Sequence, residues 1–215
     1  MMEVRKAVIP VAGWGTRSLP ASKNIPKEML PIFDKPVLQY IVEEAVEAGL
    51  TDVVFVTSRE KRIIEDHFDH TPHLEELLRR SGKHELLQKV MEVGDMINVI
   101  AVRQKQQLGL GHAVLSAKAV AGSEPFAVML GDDMMAGANT GIIELVEAAK
   151  KYNMSCVGVI PVPGKRISRY GVVAGEEVDP GVVRVRRLVA KPPAEEAPSN
   201  LGIVGRYLLT PEIFT

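Results

Sequence analysis

The chain has 215 residues, enough to bury the core of one domain, and a formal net charge of −1 from 26 basic and 27 acidic residues. This balance provides no overall field that would attract nucleic acid or a membrane, and an aromatic content of 5% is low for a protein that stacks on single strands. The single cysteine cannot form an internal disulfide, and no run matches a signal peptide or a bilayer span. We therefore expect a cytoplasmic protein that binds neither nucleic acid nor membranes.

The first predicted strand, residues 4–12, leads into a glycine-rich loop. Two glycines open this loop, and three cations follow: Arg17, Lys23 and Lys27. Glycines let the backbone turn sharply and direct its N–H groups at an anion. This arrangement favours a polyphosphate site, whereas the alternative is a glycine turn followed by solvated lysines.

Two familiar glycine-loop motifs do not fit this segment. The dinucleotide fingerprint fails because Ser18 stands where its third glycine belongs, and the P-loop pattern fails because the chain has no Gly-Lys-Ser/Thr. A nicotinamide-dependent dehydrogenase is therefore the weakest reading of the loop.

Predicted strands and amphipathic helices alternate along the next part of the chain. Helices are expected at 36–49, 111–121 and 141–152, with two or three charged helices between 59 and 93; strands are expected at 52–57, 97–103, 126–130 and 155–162. This alternation is typical of an α/β protein with a mainly parallel sheet and crossover helices.

Polar residues follow the predicted strands where a ligand would bind. In open α/β sheets ligands lie beyond the carboxyl ends of the strands, so these clusters should converge. Asp132 and Asp133 follow one strand, and a carboxylate there suits Mg²⁺, although a solvated turn or helix cap is the simpler alternative. Gln104 follows another strand and precedes a Gly-x-Gly pair; it can bond a pyrimidine edge or take part in an ordinary turn.

Three histidines, His67, His70 and His73, recur at every third position. They lie in a charged helical stretch interrupted by Pro72, which makes a shared metal geometry improbable. A solvated helix face is the better interpretation.

The last quarter of the chain has a different sequence pattern. Three strand-like pieces between residues 169 and 209 are separated by proline-containing turns, and Lys191 closes one of them in the run VAKPP. A lysine held there can neutralise a phosphate. We predict an α/β nucleotide-binding core over residues 1–163 and a smaller β-rich part of the same domain over 164–215, which we expect to be truncated at its C-terminus.

The combination of G-x-G-T-R and P-K-E-M-L-P resembles the signature of the sugar-nucleotide pyrophosphorylases, and within them the bacterial uridylyltransferases that act on glucose-1-phosphate. GLGHAV, YGV and PSNL also match. The resemblance implies a doubly wound fold, Mg²⁺ as cofactor, and transfer from UTP to glucose-1-phosphate that gives UDP-glucose and pyrophosphate. By the same resemblance, the catalytic residues are Arg17, Lys27 and Lys191; the nucleotide-binding residues are Ala12, Gly13, Gly15, Thr16, Glu28, Gln104 and Gly109; the sugar-binding residues are Gly171 and Asn200; and the metal ligand is Asp132.

The chain departs from the family pattern in two places. Ala190 replaces the glutamate that binds sugar hydroxyls in the family, and a lost hydrogen-bond partner weakens discrimination by ~1–3 kcal/mol. The family also continues beyond the length of this chain, and we expect a homo-oligomer for the full-length form. A thymidylyltransferase of the same family and a non-catalytic fragment that binds nucleotide sugars are the alternatives.

Overall fold

An eight-stranded mixed sheet forms the centre of the protein in the computed structural model, which describes residues 2–135, 137 and 141–215. The strands in chain order are β1 (Lys6–Pro10), β2 (Pro31–Ile32), β3 (Lys35–Pro36), β4 (Asp52–Thr57), β5 (Asn98–Arg103), β6 (Phe126–Met129), β7 (Cys156–Pro161), β8 (Gly171–Asp179), β9 (Val182–Ala190) and β10 (Leu201–Leu209). Strands β2 and β3 form a separate two-stranded sheet. The large sheet has the order β5-β4-β1-β6-β10-β8-β9, and β7 also pairs with β10.

One half of the large sheet is parallel and the other antiparallel. Strand β1 pairs in parallel with β4 and β6, and β4 pairs in parallel with β5. Strand β10 runs antiparallel to its three neighbours, β6, β7 and β8, and β9 is antiparallel to β8. The central parallel strands are almost wholly apolar because both of their faces are covered.

Helices cover both faces of the parallel half. They are α1 (Val37–Glu47), α2 (Arg62–His67), α3 (Pro72–Arg80), α4 (His84–Gly94), α5 (Leu110–Ser116), α6 (Lys118–Ala121) and α7 (Ile142–Tyr152). Ile9 packs on one face with the side chains of α1 and α7, and Val8 packs on the other face with those of α5. This two-sided packing confirms the doubly wound α/β architecture. None of the described helices is long and apolar enough to cross a membrane.

Two elements differ from the predictions. The single helix expected at 111–121 is two helices, because the backbone turns at Ala117, whose φ and ψ are −85° and −4°. The charged stretch contains three helices, in agreement with the two or three predicted there, and Pro72 begins the second of them, where a missing N–H costs nothing. The small sheet of β2 and β3 was not predicted. The division of the chain at residue 163 stays a prediction.

Candidate functional site

Loops from the carboxyl ends of β1, β4, β5 and β6 meet at one edge of the parallel half. Gln107 Nε2 donates to the Ala12 carbonyl at 2.8 Å and so joins the loop after β5 to the loop after β1. Lys27 Nζ donates to a carboxylate oxygen of Asp132 and joins the loop after β1 to the segment after β6. The polar clusters expected to converge are therefore adjacent.

The glycine loop is shaped at Gly15. This residue has φ +67° and ψ +29°, the left-handed region that favours glycine, and it precedes a short 3-10 turn over Thr16–Ser18. A Cβ at Gly15 would lie 3.3 Å from three side-chain carbons of Lys27. The Ser22 hydroxyl donates to the Gly15 carbonyl at 2.8 Å and fixes the loop from the far side. Arg17 is exposed, and Gly13 has open space where a Cβ would be.

Behind the loop, two lysines and two carboxylates alternate. Lys61 Nζ lies 2.9 Å from Glu28 Oε2, Glu28 Oε1 lies 3.9 Å from Lys27 Nζ, and Lys27 contacts Asp132. Glu28 is 1% exposed, so these charges compensate each other inside the protein. Burial lowers the pKa of Lys61, against the opposing effect of Glu28.

Lys61 was missed in the sequence analysis. It follows β4 by a few residues, as the predicted site residues follow β1, β5 and β6, so the same strand-end argument would have found it.

The two aspartates after β6 have different partners. Asp133 Oδ2 accepts a hydrogen bond from the Gly205 backbone N–H at 2.9 Å and fastens this segment to β10. The Asp132 side chain is 38% exposed and faces Lys27. Among the described residues no three His, Cys, Asp or Glu side chains are grouped to hold a metal. One exposed carboxylate nevertheless fits Mg²⁺, which takes one or two protein oxygens and fills its other positions with water and phosphate.

Gln104 has a fixed orientation. Its Nε2 donates to the Gly109 carbonyl at 3.2 Å and lies 3.0 Å from Nδ1 of His112. The Gly109 carbonyl can only accept, so the amide must direct its NH₂ group to this side, and His112 Nδ1 must be the unprotonated nitrogen. The Gln104 carbonyl oxygen is therefore the end that a ligand can use.

A cavity of about 510 Å³ opens beside Gln104, which is within the range of small-molecule sites. Trp14 forms part of its wall and is 66% exposed. The cavity is lined by Trp14, Ser58, Arg59, Glu60, Arg103, Gln104, Lys105 and Gln107. A smaller cavity of about 180 Å³ lies against α1 and carries Glu43, Glu44 and Glu47. No cation is among the described residues that line the smaller cavity, whereas Arg59, Arg103 and Lys105 line the larger one, which is therefore the better candidate for nucleotide.

Lys191, Gly171 and Asn200 lie on the antiparallel half. The Lys191 N–H donates to the Tyr170 carbonyl at 3.0 Å, and Gly171 pairs with Ala190 between β8 and β9. The Asn200 carbonyl accepts from the Val162 N–H at 2.8 Å. Lys191 and Asn200 are exposed, and Lys191 has φ +47°. No hydrogen bond or ion pair within the described residues joins Lys191 to Lys27 or Asp132.

The histidine run has structural partners. His67 Nε2 lies 3.1 Å from Gln39 Oε1, and His70 lies between Glu75 Oε1 at 3.0 Å and Asp95 Oδ1 at 3.2 Å. The three-residue repeat does not make a metal site in the part of the chain that the structure describes.

Known proteins resemble this chain over nearly its whole length. The family model described as nucleotidyl transferase matches residues 6–215. A UTP–glucose-1-phosphate uridylyltransferase of Bacillus subtilis is 50% identical over 214 residues, covering 100% of this chain and 73% of that protein. A UDP-glucose pyrophosphorylase from Acinetobacter baumannii superposes with a TM-score of 0.92 at 41% identity, covering 99% of this chain and 76% of the other. A UDP-glucose pyrophosphorylase complexed with UDP-glucose gives a TM-score of 0.88 at 43% identity, with 99% and 78% covered.

Proposed function

Since the chain belongs to the nucleotidyl transferase family, and within it to the UTP–glucose-1-phosphate uridylyltransferases, we propose that its cleft joins UTP to glucose-1-phosphate. The products are UDP-glucose and pyrophosphate. The observation that carries the proposal is that the loop after β1 is joined to Asp132 through Lys27 and to the loop after β5 through Gln107, at one edge of the sheet. Phosphoryl-group chemistry of this kind depends on alignment and charge neutralisation more than on covalent catalysis.

Gln104 selects the base in this proposal. Both hydrogens of its amide are directed to Gly109 and His112, so its carbonyl oxygen accepts a hydrogen bond from the ligand. The N3–H of uracil or thymine donates such a bond, whereas the unprotonated N3 of cytosine does not. Ala12, Gly13 and Gly109 contribute backbone groups around the base, and Glu28 is a further residue of the nucleotide site.

Arg17 and Lys27 hold the leaving pyrophosphate, together with backbone N–H groups at Gly15 and Thr16. Their charges stabilise the negative charge that accumulates as the bond to the α-phosphorus breaks. Asp132 is the residue that would hold Mg²⁺, and the chemistry supplied by that ion is neutralisation of phosphate charge.

The opposite wall binds the second substrate. Lys191 steadies the phosphate of glucose-1-phosphate, while Gly171 and Asn200 contact the sugar. The exposed methyl group of Ala190 offers no hydrogen bond to a sugar hydroxyl, so we propose weaker discrimination among hexose phosphates than a glutamate would give.

A cytoplasmic location fits the single thiol of the chain. Cys156 is half-buried in β7, and desolvation raises the pKa of its thiol, which keeps it in the unreactive protonated form.

Pyrophosphate release tests the proposal. The purified chain is supplied with Mg²⁺ and glucose-1-phosphate, and UTP is compared with dTTP and CTP. We expect release with UTP and none with CTP. Faster release with dTTP than with UTP would favour the thymidylyltransferase alternative, and UTP binding without release would favour a non-catalytic binding protein.

A further inference from the structure

Lys61 is a buried cation that the proposed chemistry does not use. It lies at the N-terminus of α2, shortly after β4, and is 7% exposed. An ammonium group this far from water needs a compensating anion, and Glu28 Oε2 supplies it at 2.9 Å. Replacing such a pair by apolar residues is often neutral for stability, so a stability argument alone does not explain why it is here.

Glu28 lies between two ammonium groups. Its second oxygen, Oε1, is 3.9 Å from Lys27 Nζ, beyond hydrogen-bond distance, while Lys27 donates to Asp132. The side chains become more exposed along this series, from 2% for Glu28 to 19% for Lys27 and 38% for Asp132. Glu28 is therefore the innermost of these charges; Lys61, at 9%, lies on one side of it, and Lys27 and Asp132 lead from it toward the cleft.

We propose that Lys61 is a positioning residue for nucleotide binding. It neutralises Glu28 through Oε2, the oxygen that Lys27 does not face, so that Lys27 remains directed at Asp132 and the phosphate site. The inference rests on the proposed function, because that function makes Lys27 a phosphate ligand.

The physical reason lies in what Glu28 does without Lys61. A buried carboxylate that loses its hydrogen-bonded cation is strongly unfavourable. Lys27 is the next nearest cation, and a shift of roughly 1 Å would bring its Nζ within hydrogen-bond distance of Glu28 Oε1. Lys27 would then be withdrawn from the cleft, and phosphate binding would weaken although no wall of the nucleotide pocket had changed.

The test compares UTP affinities by calorimetry without glucose-1-phosphate. The variants are Lys61→Met, Lys61→Arg, Glu28→Gln and the double variant Glu28→Gln/Lys61→Met. Lys35→Met is the matched control, because Lys35 forms an ion pair of 2.8 Å with Glu43 that lies outside the site.

We expect Lys61→Met to weaken UTP binding by about tenfold to a hundredfold, as loss of a group that orients a ligand-binding residue does. Lys61→Arg should recover part of the loss because it keeps the charge. In the Glu28→Gln background, Lys61→Met should change the affinity little, since no carboxylate remains to capture Lys27. In turnover, the KM for UTP should rise and the KM for glucose-1-phosphate should stay the same.

An unchanged UTP affinity in Lys61→Met would overturn the inference, and so would an equal loss in both backgrounds. If Lys61→Met does not fold, the double variant replaces the pair by two neutral side chains. Its affinity relative to Glu28→Gln alone then decides the question. UTP binding without pyrophosphate release in the wild-type chain would contradict the proposed reaction and leave this comparison of affinities valid.

Discussion

At the scale of single residues, the glycine loop approaches Lys27 so closely at Gly15 that a Cβ there would meet the Lys27 side chain. The left-handed backbone at Gly15 brings the loop against the aliphatic part of the Lys27 side chain. Its geometry thus links a backbone turn to the orientation of a cation. This link could be anticipated only in part from the sequence, since glycines and lysines indicate an anion site but not which lysine the turn touches.

Gly15→Ala should therefore lower turnover more than stability. The new methyl group would press on Lys27 at 3.3 Å, and the positive φ adds a backbone penalty of about 1 kcal/mol. Gly82→Ala is the matched control, because Gly82 has φ +68° with open space around the Cβ position. Urea unfolding should show similar destabilisation in both variants, whereas only Gly15→Ala should lose pyrophosphate release. Equal activity in the two variants would contradict a role for the Gly15 contact.

His70 illustrates how local charge makes stability depend on pH. Hydrogen bonds to Glu75 and then to Asp95 raise the pKa of His70, whereas burial lowers the pKa of His67. A raised pKa means that the folded state holds the proton more tightly, so the His70 contribution is present below about pH 6 and is lost as the pH rises through the folded-state value.

We expect His70→Gln to lower the Tm at about pH 5.5 and to leave it nearly unchanged at about pH 8. His67→Gln should show the opposite trend. Because the buried His67 is favoured in its neutral form, acid destabilises the wild-type protein at this site. The difference in Tm between the wild type and His67→Gln should therefore become smaller as the pH falls. Thermal unfolding monitored by circular dichroism checks both trends, and parallel pH profiles for the two variants would refute the assignment of the two shifts.

At the scale of secondary-structure elements, one buried arginine connects β10 with α1 and α7. Arg206 of β10 is 0% exposed, and its guanidinium donates to both carboxylate oxygens of Glu44 in α1, at 2.8 and 2.6 Å. Glu44 Oε1 also accepts from the Ile142 N–H at the start of α7, at 2.9 Å. The pair thus fastens β10 to both helices on one face of the sheet.

Arg206→Met should destabilise the protein by about 3–5 kcal/mol, because Glu44 would be left without its cation. The double variant Glu44→Gln/Arg206→Met should recover a large part of the loss. Arg186→Met is the surface comparison: its pair with Glu176 is exposed, and such pairs contribute at most about 1 kcal/mol. Urea denaturation measures the differences, and a small loss in Arg206→Met would show that Glu44 finds another partner.

Elements with a clear hydrophobic pattern could be predicted from the sequence. The strand at 52–57 matches β4, because its apolar run is bounded by polar residues on both sides. The break at Ala117 was not predicted, since alanine favours helix and no residue type there signals a turn. The antiparallel direction of β10 and the burial of Lys61 depend on long-range packing that no local pattern encodes.

At the scale of the whole molecule, the proposed reaction uses the two halves of the sheet as two walls, one for each substrate. The parallel half carries Arg17, Lys27 and Gln104, the antiparallel half carries Lys191, and β6 pairs with β10 where the halves meet. The proposed reaction needs one substrate on each wall. Defects on the two walls should therefore be separable in kinetics.

Arg17→Ala should raise the KM for UTP and lower kcat, whereas Lys191→Ala should raise chiefly the KM for glucose-1-phosphate. Loss of one charged group of this kind typically costs about 10²–10³ in rate. Steady-state pyrophosphate release with each substrate varied in turn measures the effects, and circular dichroism confirms that both exposed sites leave the fold intact. A rise in the same KM for both variants would argue against two walls.

Trp14, in the wall of the larger cavity, should report ligand binding through its fluorescence. Trp14 is the only tryptophan of the chain, so all indole fluorescence of the protein originates beside Gln104. With 66% of this residue exposed, its emission should lie toward the red, and a base that fills the cavity should shield it and shift the emission to the blue. A titration with UTP followed at one wavelength would report occupancy of the pocket directly, without label or turnover. Trp14 thus serves as an intrinsic fluorescent probe of nucleotide binding. An emission spectrum that UTP leaves unchanged would show that the base binds outside this cavity.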